Sequence, residues 1–235
     1  MVLMPDSEKL PVVGISCKVF EGLIDQFLPS DIANQITFLD YGLHRVPTKL
    51  TFAVQNRIDE IETPSLILLG YGLCGNGLDG IKARQHTLLI PRTDDCIAIL
   101  LGSYSLYLQE FDKEPGTYYL TKGWLESGSN PLQEYHEIRE KYGPKDADWI
   151  MDAQYQNYKR LAFIAHQEAD LFKYRPTAKE VAAYCERWGM VYEEILGSDQ
   201  YVRRLVEVAA NLDQLDSEFL VVPPGGTLTQ EAFLR

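Results

Sequence analysis

The chain has 235 residues, 46% of them hydrophobic and 24% charged, the composition of an ordinary globular protein of one large or two small domains. Its net charge of −12 and pI near 4.8 argue against a nucleic-acid surface, and no apolar run approaches the roughly 20 residues that cross a bilayer. Met1 to Lys9 has no basic lead into an apolar core, and four cysteines are too few for a disulfide framework, so a cytoplasmic protein with reduced thiols is expected.

Residues 11–17 read as a strand. The stretch after it carries Val19, Phe20, Leu23, Ile24 and Phe27 at helical spacing and predicts a helix. A short strand follows at 36–39, then a turn-rich linker over 40–46. Pro47 suits the first turn of a helix running to about Glu62. Pro64 punctuates the start of a strand over 65–69. A short glycine-rich connection, Gly70 to Gln85, leads to a strand over 87–90. One helix from about Asp94 to Tyr107 comes next, with Asp94 or Asp95 as its cap.

Beyond Gln109 the pattern changes. Gly116 to Thr121 reads as a strand and Gly123 to Gly128 as a loop. Gly143-Pro144 separates two helices, 131–142 and 145–158. Strand 160–165, helix 177–188, strand 190–196, helix 199–212 and strand 218–222 complete the chain. The expected fold class is α/β, with parallel sheet units and flanking helices in two Rossmann-like halves and a helical/β insertion. An N-terminal unit, 1–127, would carry the cysteines and a second unit would span 128–235, unless one sheet runs through both.

Three of the four cysteines fall at predicted strand ends. Cys17 closes the first strand, Cys74 lies in the loop Gly70 to Gly77, and Cys96 follows the strand over 87–90. Ligands gather beyond the carboxyl ends of strands in open α/β sheets, so three thiols delivered there are a candidate metal site. Thiolate favours zinc, copper(I) and iron–sulfur clusters over magnesium or calcium. Three cysteines leave one position open on a tetrahedral zinc or on one iron of a four-iron cluster, the mark of a catalytic metal. Taken singly, each reads better as a small packing residue; the three together favour the metal site. Cys185, in a predicted amphipathic helix beside Val181 and Trp188, is assigned to the core.

Gly70, Gly72 and Gly75 also satisfy G-x-G-x-x-G. A dinucleotide site needs such glycines to open a long helix, and the next strand follows too soon for one. Gly72, Gly75 and Gly77 are read instead as admitting a bound group close to backbone N–H donors, with Gly102 and Ser103 as further contacts. Cys96 at a helix start would feel the positive end of the dipole, which favours thiolate; the neighbouring carboxylates push the other way. His44 is the candidate fourth ligand or general acid–base, and Asp95 a second proton handler. His166 ends a strand and has a similar case, whereas His86 and His136 are read as surface residues. Tyr118, Tyr119 and Trp124 either line a pocket or close the core.

Tyr71 to Gly77, Asp95-Cys96-Ile97 with Leu100 to Ser103, and Pro115 to Tyr119 with Gly123-Trp124 together resemble a family of uncharacterised bacterial and archaeal proteins. A domain of unknown function spans most of the chain in that family, and some members are encoded near corrinoid-dependent methyltransferases. The motifs cover about residues 11–126. The resemblance implies a cysteine after the first strand, here Cys17, and a His-x-x-Pro, here His44 to Pro47. Where the family is His-like before Asp95, this chain has Asp94, so that position is not an implied ligand. At the level of fold, quinolinate synthase and the diphthamide-forming enzymes are similar in bringing three cysteines to one cluster.

The expected function is thus a metal-binding protein, with an iron–sulfur cluster (4Fe-4S) on Cys17, Cys74 and Cys96 and zinc as second choice. Its open position would act on a small polar substrate in lyase-like or sulfur chemistry. The alternative is an accessory protein of a corrinoid or methyl-transfer system, binding a partner protein without its own catalysis. Metal-free chemistry with Cys96 as nucleophile is a third reading.

Overall fold

The computed structural model describes residues 10–24, 26–29 and 35–235. The α/β class expected from the sequence is present. Strands β1 (Val12–Cys17), β2 (Ile36–Leu39), β3 (Leu66–Gly70) and β4 (Thr87–Pro91) are parallel, and β8 (Phe219–Val222) closes antiparallel on β4. Their order is β2-β1-β3-β4-β8, so the sheet grows in opposite directions from β1 and β3. The crevice beyond the carboxyl ends of those two strands is a topological switch point. β3 is buried along its whole length, as its unbroken Leu66-Ile67-Leu68-Leu69 run requires when both faces are covered.

A second, three-stranded parallel sheet has the order β5-β6-β7, from β5 (Thr117–Thr121), β6 (Arg160–Ala165) and β7 (Val191–Leu196). Sheet membership does not change at residue 127. β5 lies before that point yet pairs with β6 from Thr117↔Arg160 to Thr121↔Ile164, and β8 returns to the first sheet. Pairing partners are chosen by packing across space, which a linear reading of composition does not register. Leu161 and Phe163 of β6 face the second core, with Leu120 and Met151; Ile164 joins the first, with Ile15, Leu69 and Leu88. The strand's alternation thereby ties the two cores together.

Helix α1 (Pro47–Asp59) opens on Pro47 and buries Leu50, Val54 and Ile58 at i, i+4 and i+8. The single helix expected over 94–107 is instead two, α2 (Cys96–Leu101) and α3 (Tyr104–Lys113). Gly102 breaks them at φ 101°, and Ser103 caps α3 by accepting from Leu106 N at 3.1 Å. The stretch after β1 forms a 3-10 turn, Lys18–Phe20, and further turns rather than the expected helix, although Val19, Phe20, Leu23 and Ile24 are buried. Their spacing reported burial, not helix; Asp25 lies outside the described residues. A short helix α4 (Lys122–Glu126), capped by Thr121, replaces the loop expected from Gly123.

Gly143, at φ 86°, separates α5 (Pro131–Tyr142) from α6 (Pro144–Tyr155). Helix α7 (Glu168–Cys185) begins well before residue 177 and runs through exposed Pro176. Glu168 and Asp170 in its first turn are a helix-start signal that apolar periodicity overlooks. Helix α8 (Gln200–Ala210) lays Tyr201, Val202 and Leu205 on the first core. His86, expected at the surface, is buried, and its Nδ1 accepts from Ser65 N at 3.3 Å. Among the described residues no helix is long and apolar enough to cross a membrane.

Candidate metal centre

The loops after β3 and β4 are laced together. Leu73 N donates to Thr93 O at 2.9 Å and Cys74 N to Asp94 O at 2.8 Å. Gly72 permits this approach, because a Cβ there would lie 2.7 Å from Asp95 O and 2.8 Å from Thr93 O. The chain then turns back through three left-handed residues, Cys74 (φ 49°), Gly75 (φ 63°) and Asn76 (φ 70°). For a residue with a Cβ that conformation costs about 1–2 kcal/mol, a strain of the kind concentrated at functional sites. Gly77 packs against α1, where a Cβ would stand 2.6 Å from Leu50 Cδ2. Gly72 and Gly77 therefore serve contacts within the protein.

This lacing brings the three thiols onto one cavity. Cys17, Cys74 and Cys96 line a space of roughly 280 Å³ together with Asp40, His44, Leu50, Tyr71, Gly75, Asp95, Ile97 and Trp124. Among the described residues no lysine or arginine lines it. Burial pushes the Cys17 thiol up to about 11 and also raises those of Cys74 and Cys96. At Cys96 burial thus acts against the helix-start effect expected to favour thiolate. Asp95 caps α2 by accepting from Ile97 N at 2.8 Å, yet burial raises its carboxyl to about 6.

His44 stands on the short turn after β2, and its Nε2 accepts from Trp124 Nε1 at 3.2 Å. Burial lowers its pKa, with Arg45 acting in the same direction. The ring is therefore a neutral acceptor whose lone pair is taken, and proton transfer at Nε2 requires the indole to move. Gly102 and Ser103 are not brought to the thiols. They lie at the far end of α2, about 9 Å along its axis, beside Gln200, Tyr201 and Glu218. His166 follows β6, and its pKa falls to about 4 through burial, but it does not line the thiol cavity.

Among the described residues no three His, Cys, Asp or Glu side chains form a group able to hold a metal ion as they stand. Tetrahedral zinc, with Zn–S near 2.3 Å, would require sulfurs about 3.8 Å apart.

A second space of roughly 310 Å³ shares His44, Asp95, Ile97 and Trp124 with the first. Its other walls include Tyr118, Tyr119, Tyr155, Tyr158, Ser129 and Glu134. Tyr155 donates to Glu134 at 2.6 Å and Arg45 Nη2 at 3.2 Å, so the carboxylate is held from two sides. Tyr118, Tyr119 and Trp124 take both roles left open for them: they line this space and pack against the two cores. Arg45, Glu134, Tyr155 and Tyr158 escaped the sequence reading, because they come from separate helices and loops with no motif to join them.

No curated protein and no solved structure matches the chain. A family model described as a protein of unknown function (DUF1638) matches residues 38–206. That span contains His44, Cys74, Asp95, Cys96 and Trp124 and leaves Cys17 ahead of it. The chain belongs to the DUF1638 family of proteins of unknown function.

Proposed function

We propose that this protein carries an iron–sulfur cluster of the 4Fe-4S type on Cys17, Cys74 and Cys96 and uses it on a small polar substrate, in lyase-like or sulfur chemistry. The observation that carries the reading is the donor set: three thiols and two carboxylates on one cavity, with no cationic side chain among the described residues that line it. Ionised thiolates in such surroundings need a positive counterpart, and a bound metal supplies it while deprotonating the thiols outright. A single zinc gathers its ligands around one ion, whereas a cluster spreads three thiolates over three irons and leaves the fourth open; the cluster is our first choice and zinc the second.

When bound, the cluster supplies an open iron that acts as a Lewis acid. The chain's own residues do the rest. Asp95, whose carboxyl burial raises to about 6, stands on the same cavity as the proton handler. His44 and Trp124, bonded to each other, form the partition between the thiol cavity and the adjoining space. The substrate enters through that space, where Tyr158, Ser129 and Arg45 offer polar contacts.

Anaerobic purification followed by iron and acid-labile sulfide analysis tests the reading. Near-stoichiometric iron and sulfide are expected, and a Cys74→Ala variant retaining all of its iron would defeat it. The accessory role in a corrinoid or methyl-transfer system draws on the resemblance to proteins encoded beside corrinoid-dependent methyltransferases. Tight binding of a partner protein by iron-free protein would favour it.

A further inference from the structure

Tyr71 opens the loop after β3 and is only 3% exposed. Its side chain lines the thiol cavity, and its hydroxyl has no hydrogen-bond partner among the described residues. Three buried tyrosines elsewhere are satisfied: Tyr41 donates to Glu126, Tyr155 to Glu134 and Tyr201 to Glu218 O. Phenylalanine would fill the same volume without an unpaired buried oxygen, so the hydroxyl calls for a partner that arrives from elsewhere.

The remaining lining groups narrow that partner. Cys17 and Cys74 line the same cavity as Tyr71. The Trp124 indole N–H, the other aromatic donor on the cavity, is committed to His44. Thiolates, cluster sulfides and ionised carboxylates only accept. A sulfur-rich group in this cavity would thus meet one uncommitted aromatic side-chain donor.

We propose that the Tyr71 hydroxyl donates a hydrogen bond to a sulfur of the iron–sulfur group held by Cys17, Cys74 and Cys96. Tyr71 is then a positioning residue that slows loss of the group and raises its reduction potential, since donors to sulfur stabilise the more negative, reduced state. This rests on the reading of the cavity as an iron–sulfur centre. The experiment compares Tyr71→Phe with Tyr119→Phe. The Tyr119 hydroxyl is also buried without a partner, but it belongs to the adjoining space and not to the thiol cavity.

Three quantities are measured on each full-length protein: the thermal midpoint after iron removal, the rate of iron loss to a chelator, and the potential by spectroscopic redox titration. For Y71F the iron-free midpoint stays equal or rises. Iron loss becomes roughly tenfold faster, the equivalent of one hydrogen bond, and the potential moves to more negative values. Y119F leaves the last two unchanged. A lower iron-free midpoint in Y71F, or wild-type release and potential in loaded Y71F, overturns the proposal while leaving the centre intact. Wild-type protein that takes up no iron or sulfide overturns the centre and the hydrogen bond together.

Discussion

The carboxyl ends of the two parallel sheets are furnished differently. On the first, three thiols, Asp95 and the Tyr71 hydroxyl surround a space that no cation among the described residues lines, and that hydroxyl has no partner among them. On the second, charges answer one another. Lys122 pairs with Asp170 at 3.2 Å beyond β5 and β6, and Arg175 with Glu194 at 2.7 Å beside β7. The opposite end of that sheet is equally self-contained: buried Arg160 reaches Glu110 at 2.8 Å, Glu193 at 3.0 Å and Thr117 Oγ1 at 2.8 Å. Polar groups that satisfy each other hold a fold together. Groups left facing an empty space of their own chemistry mark where something else binds.

The largest effect that would break this contrast is on metal content. Cys74→Ala and Cys96→Ala are expected to lose essentially all bound iron. Cys185→Ala, in the second core and buried, should keep it at a stability cost of about 1 kcal/mol. Parallel iron analysis and urea unfolding decide the point. The converse perturbation is Arg160→Ala, which strands Glu110 and Glu193 and should cost about 3 kcal/mol in urea unfolding. Its iron content should stay at the wild-type level, since Arg160 lies outside the thiol cavity.

A smaller change sharpens the first region. Gly72→Ala places a Cβ against the backbone of Asp95 and Thr93, pushing the two laced loops apart. We expect a loss of about 1–3 kcal/mol together with faster iron release, measured by unfolding and chelator challenge. A variant as stable and as retentive as wild type would show that the lacing does not set the spacing of Cys74 and Cys96.

The smallest effect is on pH dependence. Burial holds the His166 pKa near 4, below its unfolded value of about 6.5. Between those values the unfolded chain binds the extra proton, so the contribution of this group falls as pH drops through that window. Wild-type stability should decline by about 1 kcal/mol between pH 7.5 and 5.5 relative to His166→Gln. Parallel slopes for the two proteins would exclude the effect.

The pattern of apolar runs, prolines and glycines determined the α/β alternation, nearly every strand and the strand-end positions of Cys17, Cys74 and Cys96. Those features follow from local chemistry: period-two burial, fixed proline φ, and glycine where the backbone must turn. Convergence of the thiols on one cavity was also implicit there, because parallel strands present their following loops at one edge. Tertiary structure alone decided the rest. It coupled His44 to Trp124, moved β5 and β8 to sheets their neighbours in sequence do not predict, and built the adjoining space from Arg45, Glu134 and four tyrosines. Each of these depends on which surfaces meet across the molecule, and that information resides in packing between distant segments rather than in any one of them.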